Sequence, residues 1–172
     1  LLALMGCKRE DSDTVDQDKI YQDYALVYNG TEDKTYARAS YRFSNALGTA
    51  LELAGGAEDK FNGQAMLWQN AFAYYEMEFA GVLDSGTFVY TDADGNTFTN
   101  SIGMPDPISF PPSFQSLNQD GTSFTLSWVG NPLAADEGVN VSIEGTAEND
   151  LQLFNTQFDG ATSIILGANK IG

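Results

Sequence analysis

A chain of 172 residues with 42% apolar content can bury the hydrophobic core of one domain, or at most of two small ones. Eight Lys and Arg against 24 Asp and Glu leave a net charge of −16, so no basic surface exists to meet the phosphates of nucleic acid or anionic lipid headgroups. The chain has no His and one Cys, which excludes Ser-His-Asp and Cys-His catalytic sites, an intramolecular disulfide, and the commonest ligand for zinc, copper or haem.

Residues 1–7, Leu1-Leu2-Ala3-Leu4-Met5-Gly6-Cys7, form an apolar run too short to span a bilayer, and polarity changes abruptly at Lys8. Leu4-Met5-Gly6-Cys7 resembles the lipobox of bacterial lipoproteins, in which small residues before a Cys let a dedicated peptidase cut on its amino side. The resemblance implies that residues 1–6 end a signal peptide. It also implies that Cys7 carries a diacylglycerol thioether and then an acyl chain on its new α-amino group. Each buried methylene contributes ~0.8 kcal/mol, so several chains hold a protein to a membrane without help from charge. No charged segment or initiating Met precedes Leu1, and the expectation is a sequence that begins inside its signal peptide.

Residues 8–19 hold five acidic side chains and one strongly apolar residue, Val15. Such a composition does not repay its ordering entropy, and the expectation for residues 7–19 is a lipidated Cys followed by a solvated tether. Lys8-Arg9-Glu10-Asp11 resembles the short acidic export signal that follows the lipidated Cys in surface lipoproteins of the Bacteroidota. That resemblance implies lipid anchoring in the outer membrane with the protein exposed at the cell surface. Asp13-Thr14-Val15 is similar to the Asp-Ser/Thr-apolar pattern of O-glycosylation in that phylum, which implies a glycan on Thr14.

From residue 20 onward apolar residues recur at every second position, the pattern of strands with one buried face. Tyr24, Leu26 and Tyr28 make one row, and Ala37, Ala39, Tyr41 and Phe43 make a second, with Tyr36, Arg38, Ser40 and Arg42 on the opposite face. The polar turn at 29–33 predicts that these two rows pair as a hairpin. Further rows follow at Leu51 and Leu53, at Tyr75, Met77 and Phe79, at Phe88 and Tyr90, and at Phe98 and Ile102. Later rows are Phe124, Leu126 and Trp128, then Val139, Val141 and Ile143, then Ile164 and Leu166. Asn62-Gly63, Asp94-Gly95, Asp120-Gly121 and Asp159-Gly160 supply residues that tolerate positive φ in tight turns. The pattern predicts an all-β fold, an antiparallel two-sheet β-sandwich of immunoglobulin-like type over residues 20–172, with a barrel as the alternative. Pro105, Pro107, Pro111 and Pro112 break any ladder near the middle and read as a crossover between sheets, since the stretch after them makes a marginal unit alone.

Candidate chemistry is sparse. Asp92, Asp94 and Asn96 alternate as in the opening of a calcium loop, and their oxygens suit a hard cation. The twelfth position from Asp92 is Gly103 rather than a bidentate Glu, and an ordinary Asp-Gly hairpin tip explains the same residues. Glu76 and Glu78 share an outward face with Tyr74 at a spacing of ~7 Å, which also describes any solvated strand of an acidic protein. Trp68 and Tyr74 lack partners in the inward alternation, and flat rings on a sandwich stack sugars through CH–π contact and apolar burial.

These residues predict a non-catalytic, lipid-anchored surface module that binds an extracellular glycan or serves as an accessory subunit of an outer-membrane protein complex. The alternative is a structural subunit of a pilus- or sheath-like assembly joined by strand addition, with residues 162–166 as the donor segment. An enzyme is disfavoured by the missing His, and no nucleic acid partner or resident cofactor is expected beyond the calcium considered above.

Overall fold

The computed structural model describes residues 9–112, 122–144 and 151–171. The fold is all-β, built from multiple antiparallel sheets in an arrangement consistent with a β-sandwich. The chain divides into two compact units, Leu1–Met104 and Pro105–Gly172. The sequence expected one domain over residues 20–172, and the boundary between the two units falls at the prolines read there as a crossover. Pro105 and Pro107 lack an N–H and end the ladder just after Gly103, as the sequence anticipated, but the first unit has by then closed its own core.

The first unit contains β1 (Arg9–Asp11), β2 (Ile20–Asn29), β3 (Lys34–Phe43), β4 (Ala50–Glu52), β5 (Glu58–Phe61), β6 (Gln64–Ala65), β7 (Leu67–Gln69), β8 (Tyr74–Ala80), β9 (Ser85–Thr91) and β10 (Thr97–Gly103). β3 is the hub of a six-stranded sheet, pairing along its length with β2, over 34–39 with β8, and at Arg42 with β4; β7 extends the sheet beyond β8, and β1 beyond β4. The second sheet runs β10-β9-β5-β6. Asn62 and Gly63 turn between β5 and β6 with φ of 49° and 80°, the left-handed conformation that Asn tolerates and that Gly, without a Cβ, adopts freely. Alternation places Ala37, Ala39 and Tyr41 of β3, Phe61 of β5, and Phe88 and Tyr90 of β9 in one core drawn from both sheets. Phe61 lies between Phe79 and Phe88, with centroids 5.5 and 4.7 Å away.

The segment expected to be a solvated tether is built into this unit over its described residues, 9–19. β1 runs parallel to β4, Ser12 is 0% exposed, and its Oγ accepts from the Ala54 N–H at 3.0 Å. Gln17 donates to the carbonyls of Ser12 and Val15 and accepts from the Ala93 N–H, and Val15 packs against the core. Composition counted Val15 as one apolar residue among charges. Its position, with small Ser12 and hydrogen-bonding Gln17 on either side, is what repays the ordering.

The second unit contains β11 (Phe124–Ser127), β12 (Val139–Glu144), β13 (Leu151–Thr156), β14 (Ser163–Leu166) and a short helix, α1 (Ala168–Ile171). β11 pairs with β14 and β12 with β13, all antiparallel. Leu126, Phe154, Ile164 and Leu166 form its core, with Trp128 packed against them. The segment considered as a strand donor is thus largely β14, already paired within the chain with Ile164 and Leu166 buried.

Candidate functional site

The outer face of the six-stranded sheet carries a continuous stack of aromatic and cationic side chains. In the β3/β8 register Arg38 lies opposite Glu76 and Tyr36 opposite Glu78, while Ala37 and Ala39 face Met77 and Tyr75 on the buried side. Glu76 accepts from Arg38 Nε at 2.6 Å, which fixes the guanidinium between two rings, 5.2 Å from the centroids of both Tyr36 and Tyr74. Phe72 continues the stack on Tyr74 with centroids 5.5 Å apart and planes 11° from parallel. It reaches that place because the turn between β7 and β8 folds back on itself: the N–H groups of Phe72 and Ala73 both donate to the Gln69 carbonyl, and Ala73 takes a φ of 55°.

Charge on this face is largely matched. Tyr36 donates to Glu32 and Lys34 pairs with Glu78, so three carboxylates meet two cations. The Glu32 hydrogen bond pushes Tyr36 up to about 12, and the bond from Glu76 raises Arg38 further. Neither group changes charge near neutral pH. Phe72 is 67% exposed, which leaves an apolar side chain next to polar groups already held in place.

The structure separates the two rings that the sequence grouped. Tyr74 belongs to the outer face, but Trp68 pairs with Tyr75 across β7 and β8 and therefore points inward. Its ring packs on Tyr75 at 5.0 Å, and its Nε1 is buried without a hydrogen-bond partner among the described residues. The partner of Tyr74 is Phe72, which sequence reasoning missed. The run Asn70-Ala71-Phe72-Ala73 between two strands held the only signal, since no Gly or Pro marks this turn.

The remaining candidates fall elsewhere. Asp92, Asp94 and Asn96 form the tip between β9 and β10, where Asp92 is 3% exposed. Its carboxylate accepts from the Asp94 N–H at 3.0 Å, the Asn96 N–H at 2.8 Å and Asn96 Nδ2 at 2.9 Å. Burial by itself would raise this acid, but those bonds outweigh it and hold Asp92 below the usual carboxylate range. Three protein donors already hold this carboxylate, as in an ordinary Asp-Gly hairpin tip. Among the described residues no cluster of three or more acidic or thiol side chains is placed to hold a metal. Cys7 and Lys8 lie outside the described residues. Arg9, Glu10 and Asp11 form β1, with Arg9 paired to Glu52 at 3.5 Å and donating to Asn70. Thr14 is exposed and donates to the Asp11 carbonyl.

The second unit has a concavity of about 210 Å³ lined by Ile108, Phe110, Leu126, Trp128, Val141 and Ile164, with Ser109, Ser127 and Asn140 among its other walls. It exceeds the ~150 Å³ that holds one benzene ring. Leu151, Leu153 and Ile165 are exposed on the strands of the same unit.

No family model, curated protein or solved structure matches the chain.

Proposed function

We propose that this chain is a non-catalytic lipoprotein of a bacterial outer membrane, exposed at the cell surface through lipid on Cys7, whose first unit binds an extracellular glycan. The stack Phe72–Tyr74–Arg38–Tyr36 carries the proposal. Its charges are internally paired and its exposed end is an apolar ring, which suits the CH-rich face of a neutral sugar better than an anionic one. An excess of carboxylates on the same face, within a chain of net charge −16, repels acidic polysaccharides. On this reading the ordered unit begins two residues after the lipidated Cys7, and the binding face would work near the membrane surface, as an independent module or as an accessory subunit of an outer-membrane complex.

An immunoglobulin-like fold for the first unit belongs to the same proposal. The orders β2-β3-β8-β7 and β10-β9-β5-β6 have the connectivity of the ABED and GFCC′ sheets of that fold, with every one of those pairs antiparallel. Assembly by donation of residues 162–166 draws less support, because β14 already has a partner.

Affinity electrophoresis through gels containing neutral polysaccharides tests the function. Retardation of the intact chain by at least one polysaccharide is expected, with roughly two- to tenfold weaker binding in Phe72→Ala and Tyr74→Ala, the loss that stacking of ~0.5–1.5 kcal/mol allows. Equal retardation of the variants, or none across a broad panel, would refute it.

A further inference from the structure

Alternation along β5 turns Glu58 and Lys60 outward and Asp59 and Phe61 inward, so a carboxyl group enters the core between the two sheets, 4% exposed. Asp59 is the register partner of Tyr90 on β9. The Tyr90 ring lies 4.6 Å from that of Tyr41 on β3, and Tyr41 in turn meets Tyr24 of β2 and Tyr75 of β8 at 6.3 and 6.0 Å. The Tyr75 hydroxyl accepts from the Leu53 N–H. Neither oxygen of Asp59 makes a hydrogen bond of normal geometry among the described residues, and neither does the hydroxyl of Tyr41 or Tyr90, although the Tyr41 hydroxyl and the Lys60 N–H lie close enough to Asp59 to favour its anion in part.

Burial is the largest influence on this group, and the charges of the surrounding elements do little to offset it. Lys60, its neighbour on β5, points outward and pairs with Glu58. Asp92 at the end of β9 acts on Tyr90, and Glu52 of β4 acts on Tyr75. The four tyrosines are themselves pushed upward by burial and stay neutral. An ionised carboxylate left in such surroundings forfeits its hydration without compensation, whereas a carboxylic acid keeps an O–H that can be donated to a tyrosine oxygen.

We propose that Asp59 is a proton-binding site built into the first unit: the two sheets close over its neutral carboxyl group, and loss of that proton loosens their packing. Burial pushes the group from 3.8 to about 7, against a partial pull from the neighbouring Tyr41 hydroxyl and the Lys60 backbone N–H. Between those two values the folded unit holds a proton that the unfolded chain has released. Raising the pH from about 4 to about 7 therefore weakens the fold through this residue, and above about 7 the loss is complete. A protein facing the medium would thus be tightest in mild acid.

The test is urea denaturation of the full chain at pH 4 to 9, beside Asp59→Asn, which keeps the shape and removes the titration. The chain's large net negative charge gives both proteins a common pH slope, so the difference between their midpoints is the observable. Expected is a midpoint difference, variant minus parent, that rises from pH 4 to 7 and is constant above. A constant difference across pH 4 to 7 would overturn the proposal. The infrared stretching band of a protonated carboxyl in the parent at pH 6 gives a second measurement independent of how the variant folds. Its presence supports the proposal, and its absence refutes it.

Discussion

Alanine at position 86 would plant a methyl group 1.9 Å from Phe61 Cζ and 2.3 Å from Cε2, where ordinary contact needs ~3.4–4 Å. Gly86 lies on β9, and the ring of Phe61 crosses directly over it. That ring is fully buried between Phe79 and Phe88, so it cannot give the required ~1.5–2 Å without displacing both. Overpacking of this kind costs ~1–3 kcal/mol. Alanine recovers ~0.5–1 kcal/mol through the lower backbone entropy of the unfolded chain, which leaves Gly86→Ala destabilised by roughly 1–2 kcal/mol. The reasoning names the ring as the obstacle, so Phe61→Leu should relieve it. The double variant should be more stable than the sum of the singles by ~1 kcal/mol. Urea denaturation followed by tryptophan fluorescence in a Trp128→Phe background measures this, because Trp68 then reports on the first unit alone. Additive singles, or an unchanged midpoint for Gly86→Ala, would show that the Phe61 ring does not lie over Gly86 as described.

Three further outcomes are expected. Ala73→Gly should raise stability by about 1 kcal/mol, seen as a higher urea midpoint, because Ala73 adopts a φ of 55° that glycine occupies at little cost. Ser12→Ala should cost ~1–3 kcal/mol by leaving the Ala54 N–H buried without an acceptor, and hydrogen exchange should show that amide and the 9–19 segment opening together. Asp92→Ala should cost a similar amount at neutral pH by freeing three donors at the β9–β10 tip. The Asp92 contribution is present above pH ~4 and is lost as acidification passes below the ordinary carboxylate value toward the lowered one, so parent and variant midpoints should converge only in strong acid.

What was legible in the sequence was alternation. The β2–β3 hairpin, its inward row from Ala37 to Tyr41 and the outward placement of Tyr36, Arg38, Tyr74 and Glu76 all follow from a period of two, because each residue's face is set by its neighbours. What was not legible depended on partners far along the chain. Trp68 takes its face from Tyr75 across a turn whose left-handed residue is an alanine, and nothing local marks that turn. The 9–19 segment reads as tether by composition, yet Ser12 and Gln17 order it through bonds to residues 54 and 93. Asp59 is the converse case: its burial obeys the alternation of β5 at the expense of its charge, so the pattern locates the residue while its poor hydrogen bonding among the described residues emerges only from packing.

The most direct test of the binding face is amide and side-chain NMR of the full chain titrated with a neutral oligosaccharide drawn from whichever polysaccharide retards it. Shift changes confined to Phe72, Tyr74, Arg38, Tyr36 and their β3 and β8 neighbours are predicted. Changes centred on the concavity around Trp128, or spread over the molecule with these residues silent, would contradict the assignment of this face.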